Sequence, residues 1–525
     1  MILNILAVSA EAFPLAKTGG LGDAVSGLCR ALHRPGHTHV TLMLPAYPAA
    51  LEQAGPLHEC ARLEGLAGGT ATLLAGTVPS LGLPVLLLRN DALYRRDGLY
   101  ADAEGNEYPD NAVRFAALAQ AAARVAWGIP GVQRPDIVHA HDWHAALVPL
   151  YLRQMRADEP KTLLTLHNIA FQGVFPLDLA PALGIRQSFC TSDCAEFWGR
   201  LNFLKAGIRH ADLISVVSRT YAREILTPAF GCGLEGVLAD RAGDSISIPN
   251  GIDVSVWNPQ ADEYLPGLGF SIGRMENKAV CKRRLQERFG LTPDPAAAVM
   301  ALGSRVTRQK MADVAAQALP GALEAHPELQ VCILGRGEKP LEAALQDLGR
   351  RYPGRCAVHV GFQEPEAHLL HAGADILLHG SRFEPFGLTP LYAMRYGTIP
   401  IGSRVGGMAD TIRDPGAPRG LESMRQATGV LFDGDSAADM AAAIDRALAL
   451  RRHPDIWQAM QRNAMRTDFS WSRAAPLYLR AYRALCPRRP AGVPAARVPA
   501  VGPKEESRGR RAGLLGYADP AWTRP

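Results

Sequence analysis

The chain has 525 residues, 47% of them hydrophobic and 20% charged, with a formal net charge of +5. That length predicts roughly two to four domains, and the absence of any run of about 18 apolar residues excludes a membrane-spanning helix. The positive charge does not indicate a nucleic-acid surface: residues 487–525 hold eight Lys or Arg against three acids, leaving 48 basic and 48 acidic residues in the remaining body, which is therefore neutral.

The first residues, Met1-Ile2-Leu3-Asn4, lack the basic segment and cleavage site of a secretory leader. Nine cysteines are scattered singly with no C-x-x-C, a usage that suits a reducing cytoplasm and argues against structural zinc.

Taken in chain order, short apolar runs alternate with longer Ala/Leu-rich helical stretches. Strands are expected at 2–8, 39–44, 85–88, 136–140, 162–166, 213–217 and 246–248, and, in a second series, at 297–303, 329–334, 356–360, 375–379, 399–402 and 428–431. This alternation predicts an α/β chain with two doubly wound, Rossmann-like parallel-sheet domains. The expected boundaries are 1–253 for the first domain and 254–273 for a Pro/Gly/acid-rich linker. The second domain is placed at 274–470, a helix packing back on the first at 471–486, and a disordered basic tail at 487–525. No internal repeat of solenoid period is present.

Polar residues collect where these strands end: His139 to His144, His167-Asn168, Asn250, Arg305, Arg336 and Arg382 to Glu384. Open parallel sheets bind ligands at their carboxyl ends, so two such edges facing across a cleft are the expected site.

The first strand runs into Lys17-Thr18-Gly19-Gly20-Leu21-Gly22-Asp23 and then a helix. Glycines there let backbone approach a ligand, and a helix start offers unpaired amides, so phosphate binding competes with a plain tight turn. A nicotinamide dinucleotide is disfavoured. The third glycine of G-x-G-x-x-G is replaced by Val25, and the next strand, ending at Pro45, carries no acid for a ribose.

In the second half, Ser304-Arg305-Val306-Thr307-Arg308-Gln309-Lys310 leaves a strand and enters a helix. Two cations there suit a diphosphate, against the alternative of a solvated basic loop. Ser381-Arg382-Phe383-Glu384-Pro385-Phe386-Gly387-Leu388-Thr389 repeats the device: amides of Gly387, Leu388 and Thr389 can face phosphate, and Glu384 can accept from sugar hydroxyls. Val405-Gly406-Gly407-Met408 is either a third such loop or a simple turn. His139-Ala140-His141-Asp142-Trp143-His144 admits a metal reading, but no further set completes a coordination shell, and Trp143 beside Asp142 also suits a sugar edge.

These segments, together with Asn202-Phe203-Leu204-Lys205-Ala206-Gly207 and Pro249-Asn250-Gly251-Ile252-Asp253, resemble in order the bacterial and plant glycogen/starch synthase family, retaining glucosyltransferases of GT-B architecture, from Ile2 to about Leu485. The resemblance implies transfer of glucose from ADP-glucose to an α-1,4-glucan with no cofactor or metal, and with neither nucleic acid nor membrane as partner. It implies that Lys17, Gly19, Gly20 and Asp23 contact the nucleotide sugar and that Arg305 and Lys310 hold its diphosphate with the amides of Gly387 to Thr389. It places His167 and Glu384 beside the transferred glucose, Asp142 near donor and acceptor sugars, and Asn250 near the nucleotide. The chain departs from the family's usual pattern at Phe386, Gly380, Phe362 and Arg219, and Tyr392 stands where the wider GT-B group often has a second Glu. The alternatives are a related transferase with another acceptor, such as glucose 1-phosphate, or a glucan-binding pseudoenzyme.

Overall fold

The computed structural model describes residues 2–103, 105–155, 160–361, 363–416 and 424–486. They group into two compact units, one comprising residues up to 217 with 225–248 and the chain from 474 onward, the other 218–224 with 249–473.

The strands of the first unit are β1 Leu3–Val8, β2 Thr38–Pro45, β3 His58–Leu66, β4 Gly69–Val78, β5 Leu83–Arg89, β6 Ile137–His141, β7 Lys161–Leu166, β8 Val174–Pro176, β9 Glu196–Phe197, β10 Arg200–Asn202, β11 Leu213–Val216 and β12 Ser245–Ser247. Nine of them form one sheet in the order β12-β11-β7-β6-β1-β2-β5-β4-β3. From β12 through β5 neighbouring strands run parallel. All five residues of β6 are buried, as a central strand covered on both faces requires.

Two features differ from the sequence expectation of a parallel sheet. The β3–β4 hairpin extends the edge, pairing antiparallel with itself and with β5, and β8, β10 and β9 form a separate antiparallel sheet.

The second unit has strands β13 Ala298–Gly303, β14 Leu329–Gly335, β15 Cys356–Val360, β16 Ile376–His379, β17 Ile399–Ser403 and β18 Val430–Phe432. Their order is β15-β14-β13-β16-β17-β18, parallel throughout. This is the doubly wound order in which strand succession reverses between the first and fourth strands. In this unit the reversal falls between β13 and β16; in the first it falls between β1 and β6. Ligand-binding loops are expected at the carboxyl ends of those four strands, where Glu11 to Gly19, Asp142, Arg305 to Lys310 and Ser381 to Glu384 lie.

Residues 254–273, expected as a linker, are instead an integral part of the second unit. The Trp257 ring is sandwiched between His368, at 4.0 Å and 8°, and Tyr392, at 3.9 Å and 11°. Asp262 accepts from His368 Nδ1 at 2.8 Å and Tyr396 Oη at 2.5 Å. Four apolar residues of this stretch, Trp257, Leu265, Leu268 and Phe270, are buried, so its Pro/Gly-rich composition shapes turns over a core. The helix Trp471–Leu485 belongs to the first unit from Ala474 onward. There Tyr482 Oη lies 2.7 Å from His139 Nδ1. The tail from 487, and Phe362, lie outside the described residues.

Candidate active site

In the first unit β1 delivers the chain to Glu11, which is only 3% exposed. Glu11 Oε2 accepts the amides of Thr18 at 2.7 Å and Gly19 at 3.3 Å, while Oε1 accepts Thr18 Oγ1 and Tyr100 Oη, each at 2.7 Å. The helix Gly20–Leu32 follows directly, with extended Gly19 as its cap and no side-chain cap bond. Lys17 Nζ sits 3.1 Å from Asp23 Oδ2. The amides of Thr18 and Gly19, which a phosphate-cradling reading of the loop would use, are thus already engaged by a carboxylate. Glu11 was missed in the sequence, although an acid six residues before a lysine-glycine loop was the available signal.

In the H-x-H segment the first histidine is engaged within the protein. His139 is fully buried with both ring nitrogens engaged, Nδ1 by Tyr482 Oη and Nε2 by Thr165 Oγ1 at 2.6 Å. His141 Nδ1 faces His167 Nε2 at 3.0 Å. Among the described residues no group of three or more His, Cys, Asp or Glu is placed to hold a metal ion. Burial lowers the pKa of all four imidazoles, His139, His141, His144 and His167, the last down to about 3, so His167 is a neutral hydrogen-bonding ring.

Asp142 begins a short helix with a left-handed φ of 54°. Its Oδ1 accepts the amides of His167 at 2.6 Å and Asn168 at 3.2 Å. Burial pushes its carboxyl up to about 7 against those two bonds, with Glu11 adding to the rise. The structure therefore brings Asp142 and His167 together and leaves Asp142 poised between its two protonation states near neutral pH.

In the second unit β13 leads to Arg305, exposed and donating to Gln309 Oε1 at 3.3 Å, and to Lys310. Lys310 Nζ donates to Glu384 Oε2, which also takes His379 Nε2 at 3.0 Å and Ser381 Oγ at 3.1 Å. Burial alone would raise the Glu384 carboxyl; Lys310 and His379 outweigh it and hold it well below the usual carboxylate range. Arg382, by contrast, is spent on structure. It forms a bidentate pair with Asp313 at 2.9 and 3.0 Å, while its amide donates to Gln309 O at 2.9 Å, knitting the two loops together.

Gly387, at φ 86°, caps the helix Leu388–Arg395, whose first amides are free of intrahelical partners by geometry. Asn250 is buried with its Oδ1 unpartnered, a group available to a ligand.

The Gly406-Gly407 loop is engaged within the protein. The Gly406 amide donates to the Glu224 carboxylate at 3.0 and 3.1 Å. A Cβ on Gly406, at φ 44°, would lie 1.7 Å from Glu384 O, and one on Gly407 2.2 Å from Phe386 O. The pair is required by the close approach of the Glu384-Pro385-Phe386 backbone.

Three of the departures from the family pattern lie among the described residues. Gly380 leaves room for Met440 and Met311, whose nearest atoms would lie 2.9 and 3.2 Å from an added Cβ. Phe386 is buried, and the Arg219 amide donates to Asp410 Oδ2 at 2.7 Å.

Two Rossmann-like α/β units carrying these polar loops at their strand-order reversals define a GT-B glycosyltransferase. Residues 4–240 match the family model for a starch synthase catalytic domain, and residues 284–464 match that for glycosyl transferases group 1. The chain is 56% identical over 518 residues to a glycogen synthase of Bordetella petrii, covering 98% of each. It is 58% identical to one of Bordetella parapertussis, covering 95% of this chain and 98% of the relative. The solved catalytic domain of starch synthase IV from Arabidopsis thaliana, bound to ADP and acarbose, superposes with a TM-score of 0.83 at 27% identity, covering 93% of this chain and all of that one. The chain belongs to the bacterial glycogen synthase family. It is a glycosyltransferase of glycogen biosynthesis.

Proposed function

We propose that the donor is ADP-glucose and the acceptor the non-reducing 4-hydroxyl of an α-1,4-glucan, with retention at the anomeric carbon. Support comes from the glycogen synthases similar to this chain and from ADP and acarbose in the similar starch synthase structure. The observation that carries the reading is the pairing of Lys310 with the buried Glu384 at the ends of β13 and β16. An ammonium and a carboxylate held together there supply one group for a leaving diphosphate and one for sugar hydroxyls.

As the bond from C1 to the diphosphate oxygen breaks, negative charge grows on ADP. Arg305, Lys310 and the amides of Gly387, Leu388 and Thr389 stabilise it. The acceptor O4 forms its bond to C1 on the same face, and its proton passes to the departing phosphate oxygen. Glu384, with neutral His167, orients the glucose; Lys17, Gly19, Gly20 and Asp23 bind the nucleotide sugar, Asn250 the nucleotide, and Asp142 the sugars. Neither cofactor nor metal takes part, and neither nucleic acid nor membrane is a partner. Nine free thiols accord with a cytoplasmic setting.

The test is ADP release from ADP-glucose on glycogen, with UDP-glucose in parallel. Lys310→Ala or Glu384→Ala is expected to lower turnover by about 10²- to 10³-fold, or about 2.7 to 4 kcal/mol. Near-full turnover in either variant refutes the roles given to this pair.

A further inference from the structure

A carboxylate as buried as Glu11 is costly unless its oxygens are fully met by donors. Here four donors converge on it from two segments: the Thr18 amide, Thr18 hydroxyl and Gly19 amide from the glycine loop, and the Tyr100 hydroxyl from a distant stretch. Its own amide donates to Ser9 Oγ at 3.1 Å, which holds the backbone that carries the side chain. Tyr100 in turn stacks on His144 at 4.7 Å and 26°, and its carbonyl accepts Asn111 Nδ2 at 2.9 Å. The bonds fall on the two residues directly after Lys17 and before the helix that presents Asp23. With no side-chain cap at Gly19, this internal anion is what sets the loop's path.

We propose that Glu11 is a positioning residue, whose carboxylate holds the Lys17–Asp23 loop in donor-binding geometry and ties it through Tyr100 to the strand end bearing Asp142 and His144. This rests on the reading that the loop binds the nucleotide sugar. Charge-assisted bonds to two consecutive amides fix backbone direction more firmly than neutral ones, and loop position enters binding before it enters chemistry. Glu11 itself, with both oxygens occupied, does not touch substrate.

The experiment is steady-state kinetics of Glu11→Gln, Tyr100→Phe, their double variant and Lys17→Ala on ADP-glucose and glycogen, with circular dichroism and thermal melting. Glu11→Gln is expected to raise KM for ADP-glucose about tenfold, the equivalent of about 1.4 kcal/mol, with a smaller change in kcat and in KM for glycogen. Tyr100→Phe should give a smaller rise in the same constant, and the double variant should fall short of the product of the two. A purely structural role predicts less folded enzyme, hence lower kcat at unchanged KM, and that result overturns the proposal, as do independent effects in the double variant. If Glu11→Gln does not fold, Tyr100→Phe and Thr18→Val carry the test, and unchanged donor KM in both overturns it. Lys17→Ala separates the two readings: an unchanged donor KM there refutes the loop's donor role, whereas a raised one beside a normal Glu11→Gln refutes the positioning role alone.

Discussion

Asp142 and Glu384 are both buried carboxylates, yet their surroundings drive them in opposite directions. Asp142 is lifted from 3.8 to about 7, chiefly by burial. Across that window the folded protein binds a proton that the unfolded chain has released, so Asp142 subtracts stability as pH rises and its full cost is in place above about 7. Glu384 is held below its ordinary 4.5 by Lys310 and His379. It contributes stability in full above that value and loses it progressively as pH falls from there through its lowered one. If ionised Asp142 accepts sugar hydroxyl bonds, kcat/KM should fall on the acid side with a midpoint near 7, and Asp142→Asn should abolish that limb. A limb that survives the substitution belongs to another group. The sequence pointed to Asp142, His167, Lys310 and Glu384 because each sits in a motif at a strand end. It could not show that Lys310 and Glu384 pair, that both His139 nitrogens are consumed, or that Glu11 is buried, since those facts depend on residues 26 to 343 positions apart.

The central strands were legible within a residue or two because they are buried on both faces and read as continuous apolar runs. The hairpin of β3 and β4 was not. Most β3 residues are exposed or half-exposed, and its sequence, HECARLEGL, holds no β-branched residue, so neither alternation nor composition marked it. Strands of two or three residues, such as β8 to β10, are too short for any period. The 254–273 stretch misled because punctuation residues dominate its composition, while burial is carried by four well-spaced apolar side chains. The Gly406-Gly407 turn was left open between a ligand loop and a simple turn, because the backbone it must admit, at Glu384 to Phe386, lies some twenty residues away in the sequence. Gly406→Ala is expected to displace the Glu384 carbonyl, lowering kcat and the melting temperature together. An alanine variant with wild-type values for both would show that the loop has room to give.

The doubly wound order of both sheets follows from alternating apolar runs and helices, and it places the polar loops at strand-order reversals with no further assumption. Domain limits were less legible, since residues 218–224 belong to the second unit while their sequence neighbours belong to the first, and so short an excursion leaves no compositional trace. With His139 fully bonded to hydroxyls, full activity in EDTA is expected for the whole enzyme. Loss of activity restored by a divalent ion would require a site not built from these histidines.

The four depressed imidazoles of the first unit have a consequence for ionic strength. Near neutral pH they add no positive charge to the strand ends, where Glu11 and Asp142 supply carboxylates instead. In the second unit Arg305 and Lys310 supply cations. An uncharged polymer carries no charge for salt to screen, whereas a diphosphate held by Arg305 and Lys310 is screened. Raising salt should therefore weaken apparent affinity for the nucleotide sugar while leaving that for glycogen nearly constant, and a parallel loss of both would contradict this division of labour.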